Sequence, residues 1–171
     1  MIQVFTIGYE GTDIDRFIET LKRVDIDILV DVRAVAISRK RGFSKSALKG
    51  RLEGEGLLYE HAVELGDPKS GREAARQGRF KEFREIYAFH LASPSARSAI
   101  INIAAVAESR RVCLMCFERD PIYCHRSMVA RELANSEARV FDLFGDHPSR
   151  YDNFPAKLSS YYSSEGISAA E

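Results

Sequence analysis

The densest chemistry in this chain lies in Cys116-Phe117-Glu118-Arg119-Asp120-Pro121-Ile122-Tyr123-Cys124-His125-Arg126, where eleven residues hold two thiols, an imidazole, two carboxylates and two guanidiniums. Two kinds of chemistry suit that set. In the first, Cys116, Cys124 and His125 supply three ligands of soft or borderline character, as zinc or iron would take. A closed structural zinc site needs a fourth, for which His61, His90 and His147 are distant candidates. In the second, a thiol near a helix N-terminus, flanked by Arg119, Arg126 and His125, is drawn toward the thiolate and can attack an electrophile. The amides near Arg126 and Ser127 would then hold an anion. Glu118 serves either scheme as base or orienter. The plain alternative is that the cysteines are small core hydrophobes and that Arg119 and Asp120 form a loop ion pair.

The elements that must position these residues are a strand and a helix. Val112 to Met115 is an apolar run that reads as a buried strand, and Ser127-Met128-Val129-Ala130-Arg131-Glu132-Leu133 reads as helix, starting from about His125. A strand-to-helix turn is where α/β proteins usually keep their sites. Cys113 and Cys116 form a superficial C-x-x-C. Strand positions three apart face opposite sides, so Cys113 is expected to be a core thiol.

The rest of the chain alternates strand and helix signals. Val4-Phe5-Thr6-Ile7 is a strand closed by Gly8; Thr12 to Asp15 opens a helix whose apolar face is Ile14, Phe17, Ile18, Leu21 and Val24. Ile26 to Val32 is a central strand, Ser44 to Glu53 a helix capped by Ser44, and Leu57-Leu58-Tyr59 another extended segment. Asp67 to Gly78 carries Pro, Gly and many charges and is expected as a loop or irregular insert. Phe80 to Leu91 reads as a helix, Ser93-Pro94 opens another to about Ser109, and Arg139 to Phe144 is a final strand. This order predicts one three-layer α/β domain over residues 1–158, a mainly parallel sheet with helices on both faces, followed by a mobile tail over 159–171.

Ligands of such sheets bind at the carboxyl ends of the strands, which selects two further segments. Gly8-Tyr9-Glu10-Gly11 is neither a dinucleotide fingerprint nor a P-loop, though its glycines let backbone approach a ligand. Asp31-Val32-Arg33 ends the central strand, with its two charges expected on opposite faces. Ser38 to Ser44 follows, and residues 33–51 carry seven Lys or Arg with no acid. That basic segment could meet the phosphates of a nucleotide or nucleic acid, or be a solvated face.

Composition sets outer limits. The 171 residues suit one domain, and Lys plus Arg balance Asp plus Glu at 25 each, so no global field attracts polyanions. No apolar run approaches a membrane span of about 20 residues. Met1-Ile2-Gln3-Val4 enters a strand without a signal peptide, and three cysteines argue for reduced thiols and a cytoplasmic setting.

Four motifs in order, Thr6-Ile7-Gly8-Tyr9, Val30-Asp31-Val32-Arg33, Ser38-Arg39 with Gly42-Phe43-Ser44-Lys45, and Cys116-x-Glu118-Arg119-Asp120-Pro121-x-x-Cys124-His125-Arg126, resemble the uncharacterised bacterial and archaeal family called domain of unknown function 488. The resemblance runs from about Thr6 to Gly145 and implies a compact α/β domain with one shared site, but no reaction. Members often have a proline soon after the Asp-Val-Arg motif; here Ala34-Val35-Ala36-Ile37 follow, so this loop is expected to differ. Rhodaneses are similar in placing Asp-Val-Arg after a central strand and Arg-Ser after a cysteine, but their compact cysteine loop is missing, since position 122 is Ile.

The reading favoured is an enzyme, transferase- or hydrolase-like, acting on an anionic or nucleotide-like ligand at the sheet's carboxyl edge. Its catalytic set is Asp31, Cys116, Glu118, Cys124 and His125. Its ligand-binding set is Gly8, Tyr9, Gly11, Arg33, Ser38, Arg39, Arg119, Arg126 and Ser127, with Arg33, Arg39 and Arg126 clamping the anion. The alternatives are a nucleic-acid-binding module using residues 33–51, and a protein-binding domain in which the cluster is a buried structural network.

Overall fold

The computed structural model describes residues 2–134 and 139–156. Five strands, β1 (Gln3–Gly8), β2 (Ile28–Asp31), β3 (Leu58–His61), β4 (Val112–Cys116) and β5 (Arg139–Phe144), form one sheet in the order β3-β2-β4-β1-β5. Every pairing is parallel. The helices are α1 (Ile14–Arg23), α2 (Lys45–Gly54), α3 (Lys69–Arg76), α4 (Phe80–Leu91), α5 (Pro94–Ala107) and α6 (Arg126–Ala134). No helix among the described residues is long and apolar enough to cross a membrane. The tail expected from Ser159 lies outside the described residues.

Strand alternation splits the core in two. Val112, Leu114 and Cys116 of β4 join Val30 of β2 and the apolar residues of α3 to α6, among them Phe83, Tyr87, Ile100 and Val129. Cys113 and Met115 point the other way, among Phe5, Leu29, and Phe17 and Leu48 of α1 and α2. Cys113 is therefore the core thiol its spacing foretold, and Cys116 belongs to the opposite face. Inner strands buried on both faces account for the apolar runs Ile28 to Val30 of β2 and Val112 to Cys116 of β4.

Helix starts show how local residues set the ends. Asp13, not Thr12, caps α1, accepting a hydrogen bond from the Arg16 amide at 2.9 Å. Thr12 instead donates to the Gly145 carbonyl at 2.7 Å. Ser44 occupies the cap position of α2, but its hydroxyl ties back to the Ser38 carbonyl at 3.0 Å. The segment expected as an irregular insert contains a helix, α3, with Pro68 at its cap position. Gly71 is tolerated inside it because the helix lies close to α4: a Cβ there would sit 3.6 Å from Phe83 and Ile86.

The topology locates a crevice. From β2 the chain leaves toward β3, whereas from β4 it leaves toward β5 on the other side. Adjacent strands whose connections diverge leave open space at their carboxyl ends. Here that space lies between Asp31 and Cys116.

Candidate active site

A cleft of about 740 Å³ opens at this point, lined from β4 by Cys116, Phe117 and Glu118, and from the loop after β2 by Arg33, Ala34, Val35 and Ile37. Asp67, Arg72, Ala75, Arg76 and Phe80 form the opposite wall, with Tyr9 and Tyr123 completing it. The loop after β2 brings Val35 and Ile37, 56% and 78% exposed, into the cleft lining.

Local rules fold Cys124 back onto Cys116. Asp120 accepts from the Ile122 amide at 2.9 Å and starts a tight 3₁₀ turn over Pro121–Tyr123. The Cys124 amide donates to the Pro121 carbonyl at 3.1 Å, and the Ser127 hydroxyl donates to the Cys124 carbonyl at 2.8 Å. The result brings one ligand atom each of Cys116, Cys124 and His125 within 4.8 Å of one another. All three residues are buried. Only Cys116 of the three lines the cleft.

The imidazole is held from both sides. His125 Nε2 lies 2.7 Å from the Val32 carbonyl, so it carries the proton and donates. Nδ1 then faces the thiols, 3.8 Å from Cys116 Sγ. Tyr87 packs against the ring with centroids 5.0 Å apart, its hydroxyl anchored to the Leu65 carbonyl at 2.6 Å.

Electrostatics separates the two thiols. Burial alone would push Cys124 up, but the hydrogen bond from Cys116 and the positive His125 hold it well below the usual thiol range. Cys116, donating to Cys124 and buried, is pushed up. Burial would discharge His125, yet its hydrogen bond to Cys124 and that residue's charge raise it to about 9. Burial, then the negative Cys124, raises Glu118 to about 7. Its Oε2 is buried without a hydrogen-bond partner. Two coupled thiols, an imidazole and a carboxyl that meets Cys124 while its Oε2 has no hydrogen-bond partner form a set of groups able to move protons or accept a cation.

Several expected site residues do other work. Asp31 and Arg33 share a face, because residues two apart on a strand point the same way. Arg33 donates to both Asp31 carboxylate oxygens, at 2.8 and 2.6 Å, correcting the expectation of opposite faces. The Tyr59 hydroxyl at 2.7 Å and the Arg33 amide at 3.1 Å also donate to the carboxylate, so both oxygens of Asp31 are occupied in orienting Arg33 and Tyr59. Arg33 also donates to the Phe43 carbonyl at 2.9 Å and the Tyr9 hydroxyl at 3.2 Å.

Arg126 is no anion clamp. It is fully buried, and its guanidinium donates to the carbonyls of Glu118 and Arg119 and to Thr6 Oγ1. The Ser127 amide donates to the Cys124 carbonyl at 3.3 Å, so it too is taken. Arg119 pairs with Asp146 at 3.1 Å rather than with Asp120, and lies over the Phe144 ring. Gly8 meets the site through shape: a Cβ there would fall 1.8 Å from the Glu118 carbonyl oxygen. Gly11 forms a turn at φ +77° away from the cleft, and Ser38 shapes its own loop by accepting from the Lys40 amide at 3.1 Å. Arg39 is exposed and outside the cleft lining.

The cleft also recruits residues that the sequence reading passed over. Arg72 and Arg76 stand one turn apart on α3, in the segment expected to be irregular. Arg72 pairs with Asp67 at 3.6 Å, whereas the exposed Arg76 has no ion-pair or hydrogen-bond partner among the described residues. Phe80 and Tyr123 pack with ring centroids 5.0 Å apart. Arginines four apart just before an aromatic helix start were the available signal. The other histidines are engaged elsewhere: His61 with the Arg33 carbonyl, His90 with the Glu64 carbonyl and His147 beside Asp146. None joins the Cys116, Cys124 and His125 group.

No curated protein and no solved structure matches the chain. A family model does match residues 13–133, from the start of α1 to the end of α6, leaving the Thr6-Ile7-Gly8-Tyr9 motif just outside its span. Those residues include β2, β4 and the whole Cys116 to Arg126 segment, and on that match the chain belongs to the family described as domain of unknown function DUF488.

Proposed function

We propose that the chain is an enzyme that transfers a group of an anionic substrate, with the substrate held in the β2–β4 cleft. One observation carries this reading: the buried, unpartnered Glu118 Oε2 stands beside the Cys116–Cys124–His125 cluster at the floor of an open cleft. A buried oxygen without a partner costs about 1–3 kcal/mol, so its retention calls for a use. Glu118 takes a proton from the attacking group and passes it to the leaving group. Arg76 and Arg72, on the facing wall, hold the substrate's negative charge. Three free thiols suit a reducing compartment such as the cytoplasm.

The nucleic-acid alternative has less support, because much of the basic segment is used internally. Arg33 pairs with Asp31, Lys49 with Glu53 and Arg51 with Asp15, and Lys40 donates to the Tyr9 carbonyl. The test is a panel of aryl phosphate mono- and diesters, nucleoside phosphates and acidic carboxylic esters, assayed with wild type and Glu118→Gln. The reading expects at least one member to be turned over, with at least about a 100-fold loss in the folded variant. Turnover that survives Glu118→Gln within about threefold, or absence of binding of any of these anions by calorimetry, overturns it.

A further inference from the structure

We propose that Cys116, Cys124 and His125 bind one zinc ion whose fourth coordination position opens into the cleft beside Glu118. The assignment deepens the cleft-enzyme reading and rests on it only for the role of the fourth position.

The donor set is the first argument. Two thiolates and one imidazole suit zinc, and carboxylate-preferring ions such as magnesium or calcium do not take such a set. Geometry is the second. With zinc–sulfur near 2.3 Å and zinc–nitrogen near 2.0–2.1 Å, sulfur and nitrogen ligands of a tetrahedral ion stand about 3.6 Å apart. Cys116 Sγ and His125 Nδ1 are 3.8 Å apart already, and all three donor atoms lie within 4.8 Å.

The outer contacts are the third argument. A zinc-bound histidine characteristically donates its other ring N–H to a carbonyl or carboxylate, which fixes the ring and the tautomer. The Val32 carbonyl, 2.7 Å from Nε2, does this here and leaves Nδ1 as the ring nitrogen that faces the thiols. The ligands also sit on rigid supports: Cys116 ends β4, and Cys124 and His125 lie between the 3₁₀ turn and α6.

The count is the fourth. Structural zinc sites are closed by four protein ligands, whereas catalytic ones keep three and leave a position open. Among the described residues no other histidine, cysteine or carboxylate joins the three. Cys116 is the member that reaches the cleft, so the open position faces the same space as Glu118. Binding releases the proton on His125 Nδ1 and any protons on the two thiols to solvent, and leaves both sulfurs and Nδ1 as ligands. Zinc held there supplies a Lewis acid and brings the acidity of water toward neutral pH.

The experiment uses the full chain without a polyhistidine tag, purified anaerobically, with metal content by mass spectrometry and X-ray absorption at the zinc edge. The expected result is about one zinc per chain, with two sulfur and one nitrogen neighbours plus one light atom. Cys124→Ser and His125→Asn are expected to lower zinc affinity at least 100-fold, checked by competition with a chelator and by circular dichroism for fold. Glu118→Gln is expected to keep zinc affinity within about threefold. A chain that carries no zinc and takes none up at micromolar concentration overturns the proposal. So does an absorption spectrum without sulfur neighbours, a measurement on wild type that needs no variant to fold. Loss of zinc in Glu118→Gln overturns the open position. If zinc fails while Glu118→Gln still abolishes turnover, the enzyme reading stands without the metal.

Discussion

Two buried polar clusters stand at the carboxyl ends of adjacent strands, and they use their bonding capacity differently. At β2, Asp31 accepts from Arg33 and Tyr59, and Arg33 spends its donors on Asp31, Phe43 and Tyr9. At β4, Cys116, Cys124 and His125 crowd together while Glu118 Oε2 has no partner. The first cluster is complete within the protein, so its chemistry is spent on holding the loop after β2. The second is incomplete, and an incomplete buried cluster is what a ligand or cation completes. Residue types alone do not separate the two, since both contain acids and are buried. Bond counting does.

Substitutions should divide along the same line. The largest effect is expected at β2. Arg33→Ala leaves Asp31 buried without its counter-charge and should cost about 3–5 kcal/mol, read from urea denaturation. A loss below about 1 kcal/mol would mean that the pair is not the closed unit described. Next comes Gly8→Ala, whose new Cβ meets the Glu118 carbonyl; the expected loss is about 3 kcal/mol, together with whatever activity depends on the placement of Glu118.

At β4 the sign reverses. Glu118 is raised to about 7 in the folded, metal-free chain, above its unfolded value. A carboxyl raised on folding contributes stability that is full below the unfolded value and is lost as pH rises through the folded one. Wild type should therefore lose about 2–3 kcal/mol relative to Glu118→Gln between pH 4 and pH 8. Parallel stability curves over that range would remove the buried-carboxyl account. The smallest effect on folding is expected for Arg76→Ala, within about 0.5 kcal/mol, because that side chain is exposed and unpaired. Its binding of an anionic ligand should nevertheless fall about tenfold.

How much of this the chain made legible depends on the length scale of each feature. The alternating strands and helices, the parallel sheet and the opposite faces of Cys113 and Cys116 follow from periodicity, which is local. α3 was hidden because Pro68, Gly71 and its charges mimic a loop; the close approach of α4 that makes Gly71 acceptable is a tertiary fact. The Asp31–Arg33 pair follows from strand period, since residues two apart share a face. Arg126 looked like an anion clamp because its position at a helix start suits one. Its burial against the Glu118 and Arg119 carbonyls depends on how that loop folds. The Val32 carbonyl behind His125 carries no side-chain signal at all, being backbone brought in from another strand end.

The most direct test of the contrast is the alkylation of the three cysteines in the metal-stripped, folded chain, comparing iodoacetate with iodoacetamide and mapping labels by mass spectrometry. The account predicts native-state labelling of the Cys116–Cys124 pair, none at Cys113, and a slowing by Arg76→Ala that is larger for the anionic reagent. Labelling of all three cysteines together, and only on unfolding, would make the β4 cluster as closed as the one at β2 and contradict the account.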